Sequence, residues 1–173
     1  WHINFEEDNR MNSIQKSESI KASLRDGFRT GTSKLAQRRC YGYDVDANGE
    51  LAVNIDEAAV VRWIFDRYLS GDSLGKIADG LKERGIPSPG GKPMWNREAI
   101  SKLLSNEKYT GRVLLQKTIS MGSSQIKNNG CMVRYLITGA HAAIISDETF
   151  REAQMEKQRR TNIQEQKPMQ MLF

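Results

Sequence analysis

The 173 residues are 38% hydrophobic and 27% charged, the balance of a soluble globular chain with one core and helical extensions. No apolar run approaches the roughly 18 to 20 residues a membrane span needs, and Trp1-His2-Ile3-Asn4-Phe5-Glu6-Glu7 has neither the basic patch nor the apolar stretch of a signal peptide. The start also has no initiator Met, as expected of a chain that begins inside a longer protein. Cys40, Cys131, His2 and His141 are each isolated in sequence, so no metal or other cofactor is expected and the thiols read as reduced.

Net charge is +5, distributed in blocks. Residues 1–29 balance at zero, 30–43 carry +3, 44–72 carry −5, and 73–118 carry +5 from nine basic and four acidic side chains. Two readings are open. The blocks are ordinary solvated surface, or they are a basic face for a phosphate backbone with the acidic block turned away.

In chain order, residues 5–29 suit one long, thinly apolar helix with Ile14, Ile20, Leu24 and Phe28 as its stripe and Gly27 and Gly31 marking its end. It either packs on something else or connects two domains. Thr30–Arg39 is a basic linker. Asn48-Gly49 predicts a two-residue hairpin joining Tyr43–Asp46 to Leu51–Asn54. A helix follows, capped by Asp56, with Ala59, Val60, Ile64, Phe65, Tyr68 and Leu69 at helical spacing, and Gly71 ends it. Ser73 caps a second helix with Leu74, Ile77, Ala78 and Leu81 on one face, closed by Gly85. The connector Ile86–Pro93 cannot be helical. Asn96 caps a third helix, Arg97–Ser105, with Trp95 placed to staple onto Ile100, Leu103 and Leu104 inward, and Arg97, Ser101 and Lys102 outward. Gly111–Ile119 reads as a strand, 120–130 as a polar stretch ending in the Asn128-Asn129-Gly130 turn, and Met132–Ile137 as the returning strand. Asp147 caps a last helix to about Arg160, and the Gln-rich 161–173 reads as a disordered tail. The expected class is α+β: a helical domain with a helix-turn-helix-like tri-helix core, small β-hairpins and a long N-terminal helix.

No catalytic constellation stands out. Asp56-Glu57 and Asp44/Asp46 sit at capping and hairpin positions, no serine lies in a GxSxG context, and Gly90-Gly91-Lys92 lacks the spacing of a phosphate-binding loop. His141 reads as a turn residue. The third helix is the candidate site. It is short, strongly capped and polar outward, as a helix set into the major groove requires, although a small helical bundle with a solvated face would show the same pattern.

One ordered series of residues is more specific. It runs Tyr41-Gly42-Tyr43, Asn54 through Phe65, Tyr68, Gly71-Asp72-Ser73-Leu74, Ile77-Ala78, Leu81, Gly85-Ile86-Pro87-Ser88-Pro89, Trp95, Ile100, Leu103-Leu104, Asn106 through Tyr109, Gly111, Ala143 through Ser146, Phe150 and Arg159-Arg160. Over residues 12–160 this resembles the recombinase domain of the large serine recombinases. The resemblance implies sequence-specific binding of double-stranded DNA at an attachment site of a phage or mobile element, in a bacterial or phage protein that is cytoplasmic and nucleoid-associated. It also implies a parent enzyme that is dimeric on each site and tetrameric in synapsis. Residues 1–29 would end the catalytic-domain helix, 30–43 would cross DNA in the minor groove, 44–160 would bind DNA, and 161–173 would be tail. The implied DNA-binding residues are Lys34, Arg38, Arg39, Lys92, Asn96, Arg97, Ser101, Lys102 and Lys108. The family's nucleophile segment and zinc-ribbon cysteines have no counterpart in this sequence, so the expected behaviour is binding without cleavage. A helix-turn-helix transcription regulator is the alternative, and a module that binds no DNA is a third reading that the modest +5 keeps open.

Overall fold

The computed structural model describes residues 3–30, 33–121 and 124–165, with backbone alone for 3–10 and 164–165. The chain separates into two units, one formed within residues 1–38 and 113–137, the other within 39–112 and 138–173. Helices and short antiparallel sheets occupy different parts of the chain, so the class is α+β.

The second unit begins with a hairpin of β1 (Tyr43–Val45) and β2 (Leu51–Val53), registered Tyr43↔Val53 and Val45↔Leu51. Its loop is longer than the two residues expected. Asp46 N–H donates to Glu50 O at 2.8 Å and Gly49 N–H to Asp46 O at 3.0 Å, which leaves three residues in the loop. The Asp46 carboxylate sets this geometry by accepting from the N–H groups of Asn48 and Glu50. Gly49 then takes the positive φ of +82° that such a turn requires.

Helix α2 (Ile55–Leu69) is capped by Asn54, whose Oδ1 accepts from Glu57 N at 3.0 Å, and not by Asp56, which falls in its first turn. Asn54 holds the extended backbone a cap needs, and Asp56 sits where the helix dipole favours a carboxylate. The buried face is Ala58, Val61, Ile64, Phe65 and Tyr68: Ile64, Phe65 and Tyr68 are buried as expected, whereas in the first turns Ala58 and Val61 are buried in place of Ala59, which is exposed, and Val60, which is half-buried. Helix α3 (Leu74–Glu83) is capped by Ser73 as expected and buries Ile77, Ala78 and Leu81. The connector between α3 and the next helix is long, Arg84 through Asn96, whereas a tight helix-turn-helix uses about three to four residues. Within it, Ser88 and Lys92 close a small loop by mutual hydrogen bonds, and Trp95 is buried with its Nε1–H donated to Ile86 O.

Helix α4 (Arg97–Leu104) leads into a 3-10 turn (Glu107–Thr110). Helix α5 (Asp147–Glu165) runs past the expected end at Arg160. Residues 161–165 are thus helical, while 166–173 lie outside the described residues. Ser146 starts α5 by accepting from Thr149 N; Asp147 is the first helical residue and instead pairs with Arg112. The expected tri-helix is therefore a four-helix arrangement, since α5 packs on α2, on α4 and on the 3-10 turn. One core joins Tyr43, Phe65, Leu81, Trp95, Ile100 and Ala153, all at most 2% exposed.

The first unit contains α1 (Ile3–Thr30), which continues through Gly27, so that glycine does not end it; Gly31 lies outside the described residues. Met11, Ile14, Ile20 and Leu24 are exposed along it. Residues 34–37 form a turn: Ser33 N–H donates to Gly27 O, and Ala36 is buried with Val113 and Leu115, with Phe28 packed against them. The expected strand from Gly111 to Ile119 is two strands. β3 (Val113–Leu115) pairs with β6 (Tyr135–Ile137), and β4 (Thr118–Met121) pairs with β5 (Ser124–Lys127) as a separate ribbon. The break falls at Gln116, which takes a φ of +61° that interrupts strand geometry.

Candidate nucleic-acid interface

Helix α4 presents the one strongly capped polar face expected from the sequence. Asn96 Oδ1 accepts from Glu98 N at 2.9 Å, and Ile100, Leu103 and Leu104 anchor the opposite face in the core. Arg97, Glu98 and Lys102 are exposed and Ser101 is half-buried. Lys102 pairs with Glu98 at 2.8 Å one turn back, an exposed pair that lowers the Glu98 pKa through its hydrogen bond to the ammonium. Pairs so exposed contribute little to stability, so either partner can exchange for a stronger one.

The helix is held from behind by α5. Gln154 Nε2 donates to Leu104 O at 2.7 Å, and Lys157 Nζ donates to Ser101 O at 2.8 Å and to the Ser105 hydroxyl. These bonds satisfy carbonyls that the end of a helix leaves without partners. Arg160 does the same for α2, donating to Tyr68 O and Asp72 O while its guanidinium lies 4.2 Å over the Tyr68 ring. Glu156 grips Arg159 and Arg160, and hydrogen bonds to the two guanidinium groups pull its pKa down to about 2.

Of the nine residues proposed from sequence, Arg97 and Ser101 come together. They line one cavity of about 390 Å³ with Tyr68, Ser73, Leu74, Gly75, Lys157, Arg160 and Thr161. Asn96 is spent on capping, Lys102 is exposed on α4, and Lys92 is exposed in the Ser88–Lys92 loop. Lys108 is half-buried in the 3-10 turn, and its carbonyl accepts from His141 Nε2 at 2.6 Å and from the Tyr43 hydroxyl. The basic segment ahead of the hairpin is divided. Lys34 and Arg38 are exposed in the first unit, whereas Arg39 belongs to the second, bound to Glu57 at 2.9 Å and to Asp44 at 3.3 Å. The Glu57 hydrogen bond is the main reason that the Arg39 pKa is raised.

Sequence reading missed Lys157 and Arg160 as neighbours of α4, because α5 reads as a thinly apolar end helix. The visible signal was Gln154, Lys157 and Arg160 at three-residue spacing, one polar line along a helix that also buries Ala153. A second signal is the run from Lys108 to Ser146, which has five basic residues and no acidic one.

A chain from the crystal structure of an LSR–DNA complex aligns at 24% identity and a TM-score of 0.49, over 75% of this chain and 36% of that one. A chain solved in work on the sequence requirements of the Listeria innocua prophage attP site aligns at 25% identity and a TM-score of 0.50, over 70% of this chain and 42% of that one. This chain thus spans less than half the length of either structure. The recombinase family model matches residues 55–160, from the first residue of α2 to the arginine that clasps the end of that helix. With more than half of its length inside that match, the chain belongs to the recombinase-domain family of the serine recombinases.

Proposed function

We propose that the chain is the sequence-specific DNA-binding domain of a site-specific serine recombinase, and that it positions the enzyme on its attachment site. The observation that carries this reading is α4: its apolar side is locked into the core, its carbonyl end is held by α5, and its polar side is left to solvent. A helix fixed in this way can enter a major groove without losing its register. Its first-turn amides favour phosphate, and its exposed side chains can reach base edges. Asn96 caps the helix, and in this reading Lys102 and Ser101 read the groove. Lys92 and Lys108 supply backbone contacts near it. Lys34, Arg38 and Arg39 lie in the segment proposed to cross the minor groove, with residues 1–29 leading to the catalytic part. Strand exchange, a dimer on each site and a synaptic tetramer are proposals for the longer protein.

The test is selection of bound sequences from a random duplex pool, followed by anisotropy titrations at several salt concentrations. The reading expects one enriched site and an affinity that falls steeply as salt rises. Lys102→Ala should relax discrimination at one or two positions by about 1–3 kcal/mol if that ammonium reads bases. A flat pool with no enriched sequence would overturn the assignment.

A further inference from the structure

The cavity beside α4 has an unusual charge content. Three cations line it, Arg97, Lys157 and Arg160, and none of its lining residues is a carboxylate. Arg160 is neutralised by Glu156, but the other two cations are not. Arg97 makes no hydrogen bond or ion pair among the described residues, and its guanidinium lies over the first turn of α3: a Cβ added at Gly75 would stand 3.0 Å from Arg97 Nη2. Among the described residues the Lys157 ammonium bonds to the Ser101 carbonyl and the Ser105 hydroxyl, and burial lowers its pKa. The first turn of α3 carries no acidic residue, so its dipole adds to the positive field instead of offsetting it. Two cations thus face one cavity with no carboxylate among its lining residues, a positive potential that favours an anion.

We propose that this cavity is a phosphate site, and that it takes one backbone phosphate diester of the duplex between Arg97 and Lys157. Arg97 is then a backbone contact and not a base reader, and α5 contributes to the DNA surface through Lys157. The proposal rests on α4 entering the groove. Arg97 and Ser101 belong to both the cavity and the exposed face of that helix, so a phosphate at the groove edge is the anion within reach.

The test uses the full chain and two fluorescent duplexes, the selected site and an unrelated sequence. Arg97→Gln and Lys157→Gln should each weaken both duplexes by a similar factor, about tenfold, and each should lower the slope of log affinity against log salt by about one. The ratio of specific to unrelated binding should stay unchanged. Gly75→Asp guards against a misfolded Lys157 variant: a carboxylate in the first helical turn favours α3, yet it places a negative charge where the phosphate would sit. Its thermal midpoint should be equal to or above the parent's while its duplex affinity falls. A parent protein that binds no duplex overturns this inference together with the functional reading. A parent that binds, with a slope kept by Arg97→Gln and Gly75→Asp, overturns the phosphate site alone.

Discussion

A single backbone carbonyl, that of Lys108, gathers two side chains of different character. It accepts from the buried Tyr43 hydroxyl at 3.2 Å and from His141 Nε2 at 2.6 Å, and the two rings meet edge to face at 4.8 Å. Burial raises the Tyr43 pKa and lowers that of His141, so both groups are held neutral. The consequence for stability follows from the sign of the histidine shift. Above its ordinary value of 6.5 the imidazole is neutral in folded and unfolded chains alike, and its contribution is complete. As the pH falls below that value, the unfolded chain takes up a proton that the folded chain resists, and stability declines until the depressed folded pKa is passed. Urea midpoints measured from pH 8 down to pH 5 should therefore fall below about pH 6.5, and His141→Asn should flatten that part of the curve. Gly42 belongs to the same cluster. Its φ is +97°, and a Cβ there would come within 2.9 Å of Ile144 Cδ1, which is why Tyr41-Gly42-Tyr43 is visible as a motif in sequence while its reason is visible only in space.

At the scale of elements, legibility followed the range of the forces involved. Ser73 and Asn96 were readable as caps because a cap is decided within three residues, and the buried faces of α3 and α4 were readable from their periodicity. The misassigned caps, Asp56 and Asp147, each stand beside a second competent residue, Asn54 two before and Ser146 one before; backbone conformation chose between them. The sheets were less legible, because pairing depends on distant partners. β4 and β5 are four residues each and largely exposed, so no alternation marks their faces. What orders the return from this ribbon is one side chain. Asn128 is 2% exposed; its amide donates to Gln116 O and Met132 O at 2.9 Å, and its carbonyl oxygen accepts from Gly130 N and Met132 N. Asn128→Ala should destabilise this unit by about 2–3 kcal/mol by orphaning buried backbone groups, while Asn128→Asp should fare no better because it keeps the acceptor and loses both donors. Amide hydrogen exchange at 116–133 would show the loss as faster exchange confined to that segment.

At the scale of the whole molecule, each unit has a buried cluster of its own among the described residues. The cluster running from Tyr43 to Ala153 contains no residue from 113–137, and Val113 and Leu115 bury themselves with Ala36 instead. The points where that segment leaves and rejoins are tied together in the larger unit, since Ala140 N–H donates to Gly111 O at 2.9 Å. Replacing 113–137 by a short Gly/Ser linker should thus leave a cooperative thermal transition and the helical circular dichroism of α2 to α5. Loss of the transition would mean that the larger core depends on the excised strands. The candidate interface was legible in part at this scale. α4 and its outward residues could be read locally, but the contribution of α5 could not, because Lys157 reaches Ser101 and Arg160 reaches Tyr68 across 56 and 92 residues of chain.

The clasp of Arg160 on the end of α2 also sets an order of events during synthesis. The helices α2, α3 and α4 are translated first, but the side chains that complete the ends of α2 and α4 come from α5. At about 5–20 residues per second, the ribosome takes several seconds to travel from Leu104 to Arg160, and for that interval a nascent chain carries its polar helix on an incomplete bundle. The proposed contact helix is therefore made before the residues that hold its carbonyl end, and it gains its full support only once α5 has been translated.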